Sequence, residues 1–518
     1  MRKKRKRARK RSPRNFLILA TIAAFATGII LAVFSVPEEY VVPVVPRPST
    51  RVEQPFKEEA KLPDPAKPDE VPADPEPKTD NADKPQEPDE PQVQTLPPRE
   101  LDPQTMPRKG PAQKPRGLAQ RKGIVILQIG DSHTAADFLT GELRRLLQAK
   151  YGDGGAGYMS AGRPHIGVRS SAFVIKASSG WTYESLQRTS NAAKFWLSGF
   201  NASAEEAGET LTFSSERPFN FDRIEIQALR QPKGGTIEIR LDGVLQSEVS
   251  LSGEAIEPVV IQLMPERAAT DRVREITITT KGEGKVNLSS VAVHNRQFGL
   301  SYNNVGFPGA TVDIVNKFDD AILDNELKRL DPQIVVLAFG TNEGFNDGLD
   351  PAVYERSYER ALNKIRRALP DAKIVIVAPP DAARGPKKDP EKNAKTNGDT
   401  KDTPEKKADG EKKQAPPVAE ASEKNGCNQW KTPPQLNKVR EIQEIIAKRH
   451  GLVYWNWASI MPSECAADRW ANASPPLLAK DRVHFTLEGY RRSAAQFLKA
   501  LEPLIEQVRK ANDVVSNH

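Results

Sequence analysis

The sequence predicts an α/β protein: a three-layer α/β/α sandwich built on a parallel sheet, interrupted by an inserted antiparallel β-sandwich and preceded by a transmembrane helix and a disordered linker. Two observations carry this. Short apolar runs alternate with stretches of helical periodicity, the pattern of a parallel sheet covered on both faces. Between them lies one long region in which apolar and polar residues alternate with period two, the mark of antiparallel sheet.

The first apolar run, Ile124 to Ile129, follows Gly123 and reads as a strand buried on both faces, with a helix from about Ala135 to Lys150 after it. Further strands are expected at 334–339, 373–377 and 452–455. Helices are expected at about 311–330, 352–368, 434–449 and 487–508. These segments assign residues 118–165 and 296–512 to one α/β domain in two parts. Residues 166–295 form the insert, with alternating segments such as Thr236-Ile237-Glu238-Ile239-Arg240-Leu241 and turns such as Asp242-Gly243. A second insertion, 384–426, is rich in Lys, Asp, Pro and Asn and is expected to be disordered.

With 38% hydrophobic residues and 43 prolines, the 518-residue chain is too polar to fold along its whole length, and one main folded region is expected. Its net charge of +8 is local. Residues 2–14 hold ten Lys and Arg and no acid, so the remainder carries about −2 and lacks the electrostatic footprint of a nucleic-acid binder. After this basic tail (1–15), Phe16 to Val36 form an uncharged apolar run long enough to cross a hydrocarbon core of roughly 30 Å. Ala24-Phe25-Ala26 resembles a signal-peptidase site, but the run continues past it, and an uncleaved anchor is expected. The basic flank places the N-terminus in the cytoplasm and everything after Pro37 in the periplasm or outside the cell. Residues 37–117 alternate Pro with charged residues and read as an extended linker, able to reach at most about 250 Å.

Two constellations carry chemistry. Ser132 lies in Gly130-Asp131-Ser132-His133, where a buried strand gives way to a helix, a turn that presents a hydroxyl at the sheet edge beside backbone N–H groups. Alone, such a serine is more often a helix cap. Near the other end, Asp481-Arg482-Val483-His484 precedes the last helix, and its spacing lets the carboxylate hold His Nδ1–H while Nε2 faces a serine.

Together with Gly309 in the turn Phe307-Pro308-Gly309-Ala310-Thr311, and with Gly340-Thr341-Asn342-Glu343, these blocks resemble in order the four blocks of the SGNH, or GDSL-like, hydrolases. The resemblance covers about residues 122–165 and 296–512. It implies a catalytic triad of Ser132, Asp481 and His484. It also implies an oxyanion hole made by the backbone N–H groups of Ser132 and Gly309 and the side-chain amide of Asn342, with Gly306 as the alternative glycine, and it implies no cofactor or metal. His133 stands where many relatives have Leu, and Glu343 where many have Asp. The GDSH start, the Gly152-Asp153-Gly154-Gly155 turn and a β-domain between the first two blocks further resemble peptidoglycan O-acetylesterases, whose insert is similar to a carbohydrate-binding module. That implies an O-acetylated glycan substrate, peptidoglycan; the charge distribution implies no nucleic-acid partner, and the apolar run 16–36 implies contact with the membrane. An O-acetyltransferase using the same triad, or a non-catalytic wall-binding protein, are the rival readings.

Cys427 and Cys465, the only cysteines, are expected to pair in an oxidising compartment. His165, His294, His450 and His518 show no ligand spacing. The six tryptophans are expected mainly in the core, with Trp430 the one placed near the active edge.

Overall fold

A computed structural model describes residues 39–44, 123–189, 192–265, 272–295, 299–385, 429–461 and 465–516. The expected membrane helix Phe16–Val36 lies outside the described residues, as do residues 37–38 and 45–117 of the linker and 386–426 of the second insertion. No described helix is long and apolar enough to cross a membrane.

In chain order the elements begin with β1 (Glu39–Val44), β2 (Ile124–Gly130), α1 (Ser132–Ala135) and α2 (Phe138–Tyr151). The antiparallel region follows: β3 (Gly157–Ser160), β4 (Val174–Ala177), β5 (Thr182–Ser185), β6 (Phe200–Ala204), β7 (Thr210–Phe219), β8 (Arg223–Arg230), β9 (Thr236–Leu241), β10 (Val244–Ser250), β11 (Glu257–Pro265), β12 (Val273–Thr280) and β13 (Val286–His294). The chain then returns to the α/β layer through β14 (Leu300–Gly306), α3 (Asp313–Lys317), α4 (Asp320–Leu330), β15 (Ile334–Ala338), α5 (Thr341–Gly344), α6 (Pro351–Ala368) and β16 (Lys373–Ala378). It closes with α7 (Pro434–His450), β17 (Val453–Asn456), α8 (Ala466–Ala471) and α9 (Leu487–Ser516).

Five strands form one parallel sheet in the order β14-β2-β15-β16-β17. Every residue of β2 is buried because both faces are covered. Val125, Leu127 and Ile129 pack with Leu323 and Leu327 of α4, Leu362 and Ile365 of α6 and Ile446 of α7. Ile124 and Ile126 point the other way, toward Leu139, Leu143 and Leu147 of α2 and Phe497, Leu501 and Ile505 of α9. The result is the three-layer sandwich.

Three local expectations change. Residues 311–330 make two helices, not one: Phe318 is extended, and the Asp319 carboxylate then caps α4 by accepting the N–H groups of Ala321 and Ile322. The edge strand β14 escaped the sequence analysis because Ser301, Asn303 and Asn304 interrupt its apolar pattern; the first two are buried, and Asn303 Nδ2 donates to Ile126 O at 3.2 Å. The linker expected over 37–117 starts with structure, since β1 pairs in parallel with β11. Its Tyr40-Val41-Val42 run suits a strand, and as the outermost strand it tolerates Pro43, which has no N–H to donate.

The antiparallel strands form two sheets. One runs β1-β11-β8-β13-β6-β5, with β3 also on β13; the other runs β10-β9-β12-β7-β4. Ile224, Ile226, Ile261 and Leu288 from the first face Leu211, Phe213, Ile239 and Ile276 from the second in a common core, a β-sandwich. It begins at β3, ahead of residue 166, and β3 brings it against the α/β layer. There Tyr158, Glu225 and Gln227 meet Glu326 and Arg329 of α4. Arg329 pairs with Glu225 and, at 2.7 Å, with Glu326, and donates to Tyr158 Oη at 2.9 Å. Although burial alone would push it up, the Arg329 guanidinium, with His294 and Arg223, holds the Glu225 carboxyl well below its ordinary range. This buried charge network fixes the insert to the α/β domain.

Candidate active site

β2, β14 and β15 end level with one another: Gly130 is paired with Gly306 on one side and Ala338 on the other. The residues that follow, Ser132, Gly309 and Asn342, therefore leave the sheet from one edge. The chain crosses β2 between β14 and β15, so this edge is also the switch point where open α/β sheets bind ligands.

Ser132 opens α1, a single turn. Asp131 caps it, its Oδ1 accepting the His133 N–H at 3.0 Å. On the opposite wall, the Asp481 carboxylate organises the loop before α9. Its Oδ1 accepts the N–H groups of Val483 and His484 at 2.9 and 3.0 Å, and its Oδ2 lies 2.8 Å from His484 Nδ1. His484 Nε2 is 3.0 Å from Ser132 Oγ. Bound to a carboxylate through Nδ1, a neutral imidazole carries its proton there and leaves Nε2 to accept from the serine hydroxyl. The His484 and Asp481 side chains are 43% and 49% exposed, so water reaches the pair. Burial pulls the His484 imidazole down, but the Asp481 hydrogen bond and charge, with Asp131 behind, leave it above its ordinary value of 6.5. Asp481 is correspondingly lowered: burial raises it, and its bonds from His484 and the loop N–H groups outweigh that.

Gly309 has φ +75°, a left-handed conformation, and lies exposed. The alternative glycine, Gly306, ends β14, where an added Cβ would sit 2.1 Å from Ala135 N; its task is close packing under α1. Among the described residues neither the Ser132 nor the Gly309 N–H is taken by a hydrogen bond. Asn342 Nδ2 donates one hydrogen to Ala310 O at 2.8 Å, which orients the amide and leaves its second hydrogen for the cleft. Ser132, Gly309 and Asn342 thus each carry an N–H donor in the turns that leave the level ends of β2, β14 and β15.

Several residues support the site through contacts that the sequence pattern does not display. Glu343 is buried, and its Oε1 accepts the Val312 N–H at 2.8 Å, tying the Asn342 block to the turn after Gly309; burial raises its carboxyl to about 7. Burial likewise raises Asp131, to about 6. His133 is buried with Nδ1 2.9 Å from Tyr490 Oη, its ring edge-on to Trp457 and Phe485, and burial pushes it down to about 3, so it stays neutral. Arg482, at φ +56°, anchors the histidine loop: Nε pairs with Asp468 at 3.1 Å, its guanidinium covers Trp430 at 4.2 Å, and its carbonyl accepts the Ala383 N–H. Trp430 thus reaches the active edge as a stacking partner for this loop. Trp181, Trp196, Trp455, Trp457 and Trp470 are buried. Cys465, just before α8, is disulfide-bonded; the chain's other cysteine, Cys427, lies outside the described residues. Among the described residues no group of His, Cys, Asp or Glu is arranged to hold a metal ion.

The GDSL-like Lipase/Acylhydrolase family model matches residues 280–492. A structure of a peptidoglycan O-acetylesterase aligns with a TM-score of 0.56 at 25% identity, covering 74% of this chain and 92% of that one. The chain is a carboxylic ester hydrolase whose residues 280–492 match the GDSL-like, or SGNH, family, and it is similar to the peptidoglycan O-acetylesterase over most of its length. The family match starts after most of the insert and does not include Ser132. A GDSL-like lipase from Bacteroides thetaiotaomicron VPI-5482 matches at 17% identity over 38% of this chain and 74% of its own, with a TM-score of 0.24. A family two carbohydrate esterase from Cellvibrio japonicus matches at 14% over 43% and 79%, with a TM-score of 0.18. No curated protein sequence matches the chain.

Proposed function

We propose that this hydrolase removes O-acetyl groups from a cell-envelope polysaccharide, peptidoglycan, with Ser132 as nucleophile and His484 and Asp481 as its base and orienting carboxylate. The observation that carries the reading is the continuous relay from Ser132 Oγ to His484 Nε2 at 3.0 Å and from Nδ1 to Asp481 Oδ2 at 2.8 Å. Ser132 Oγ attacks the acetyl carbonyl as His484 takes its proton. The N–H groups of Ser132 and Gly309 and the Asn342 amide hold the oxyanion. His484 then returns the proton to the departing sugar oxygen, leaving an acetyl-enzyme. Water, deprotonated by His484, attacks that ester; acetate leaves and Ser132 regains its proton. Exposure of the His484 and Asp481 side chains supports water as the acceptor, hence hydrolysis over acetyl transfer.

The substrate assignment is supported by the similarity to the peptidoglycan O-acetylesterase. A location outside the cytoplasmic membrane is supported by the basic tail and the apolar run 16–36. The test is acetate release from O-acetylated peptidoglycan by the purified full chain beside its Ser132→Ala variant. Release that depends on Ser132 is expected. Ser132-dependent cleavage of 4-nitrophenyl acetate with no release from the polymer would remove peptidoglycan as the substrate and leave the esterase.

A further inference from the structure

The loop 163–169, which follows β3, packs against residues flanking the site. It touches both halves of the cleft. Arg169 N–H donates to Ala135 O at 3.0 Å, joining the loop to the turn that Ser132 opens. Gly167 lies so close to Pro308 that an added Cβ would be 3.3 Å from its ring, which seats the loop against the residue before Gly309. Inside the loop, Gly167 N–H donates to His165 Nδ1 at 2.9 Å and Val168 N–H to His165 O at 3.0 Å. A second segment closes the same side: Gln187 Nε2 donates to Pro308 O at 3.1 Å, and Lys317 Nζ donates to Gln187 O at 2.8 Å. The backbone of this wall is therefore held in place by both domains.

Its side chains are cationic. Arg163, Arg169 and Arg188 are exposed, and among the described residues none of them pairs with a carboxylate, whereas most other arginines of the α/β domain do. The Arg169 guanidinium lies over the Phe138 ring at 5.7 Å, which limits its freedom at the mouth of the cleft. Arg188 is near enough to His165 to add to burial in lowering that imidazole. Beyond its basic tail the chain is slightly acidic, so cations without carboxylate partners on this wall stand against the background charge. At the same rim Ile166 is 69% exposed, an apolar surface suited to a sugar face.

We propose that this wall is a specificity-determining subsite, in which Arg169 and Arg188 bind a carboxylate carried by the acetylated glycan close to the scissile ester. The proposal rests on the esterase reading above and narrows its substrate to anionic acetylated glycans. Guanidinium groups on a fixed backbone bind carboxylates through paired, charge-assisted hydrogen bonds and need no burial to act on encounter.

The test compares two synthetic polymers, partially acetylated carboxymethylcellulose and partially acetylated cellulose of matched length and acetyl content, with 4-nitrophenyl acetate as a small neutral ester. The full chain is expected to favour the carboxylated polymer by about tenfold or more in kcat/KM, mainly through KM, with the preference shrinking as salt rises. Arg169→Gln with Arg188→Gln should erase the preference and leave turnover of 4-nitrophenyl acetate unchanged; Arg169→Lys with Arg188→Lys should keep part of it. Equal rates on the two polymers, an undiminished preference in the Gln variant, or an equal loss on 4-nitrophenyl acetate would each overturn the subsite. Failure to deacetylate peptidoglycan would count against that substrate alone, since the matched polymers read the subsite independently.

Discussion

Two polar assemblies in this protein pair carboxylates with basic groups to opposite ends. In the Asp481–His484 pair both side chains are more than 40% exposed, and the pair opens onto a cleft. In the network where the insert meets α4, Glu225 is fully buried and Glu326 nearly so, with Arg329 between them. The first sits where water can exchange and a proton can move. The second is closed, and its charges stabilise only while all of them are present. On the proposed mechanism chemistry depends on the exposed relay, while the buried network ties the insert to α4.

Substitutions that separate the two should behave differently. The largest effect expected is from Ser132→Ala, which should lower turnover by roughly 10⁶-fold while leaving the thermal midpoint unchanged. Asp481→Asn should cost roughly 10²- to 10⁴-fold. It should also displace the acid limb of the pH–rate profile. Activity needs neutral His484, so with the imidazole raised the limb lies above 6.5, and loss of the carboxylate should carry it lower; a limb that stays put would contradict the pairing. The stability linkage runs the other way. A raised histidine stabilises below its unfolded pKa, and that contribution disappears as pH rises through the folded value, so the pair's support for the fold fades as the enzyme becomes active.

At the buried network, Arg329→Met should cost about 3–5 kcal/mol in urea unfolding because it takes the cation from Glu326 and leaves Glu225 only Arg223 and His294, with kcat on a small ester retained below the transition. If turnover fell as far as stability did, the two assemblies would not be independent. Smaller again is Asn342→Ala, expected to lower kcat by roughly 100- to 1000-fold, equivalent to about 2.7–4 kcal/mol, without a change in unfolding.

The α/β order and the four blocks were legible because continuous apolar strands and short polar turns leave local marks, as in Ile124–Ile129 followed by Ser132. What stayed hidden depends on tertiary partners. β14 reads as a loop because its Ser301 and Asn303 are buried against neighbours the sequence does not display. Glu343 looked like a conservative exchange, yet it holds the Val312 N–H, and Arg482, given no role by the pattern, anchors the loop to Asp468 and Trp430. The strand β1 was masked by the proline-rich composition around it, although Tyr40-Val41-Val42 is a local strand signal in its own right.

The central claim is that Ser132 forms an acetyl-enzyme under the control of His484. The most direct test is to quench the full chain within its first turnovers of 4-nitrophenyl acetate and locate the acetyl group by peptide mass. One acetyl on the peptide containing Ser132, absent from Ser132→Ala and strongly reduced in His484→Ala, is the predicted result. Acetyl on another residue, with Ser132→Ala still turning over, would contradict the account.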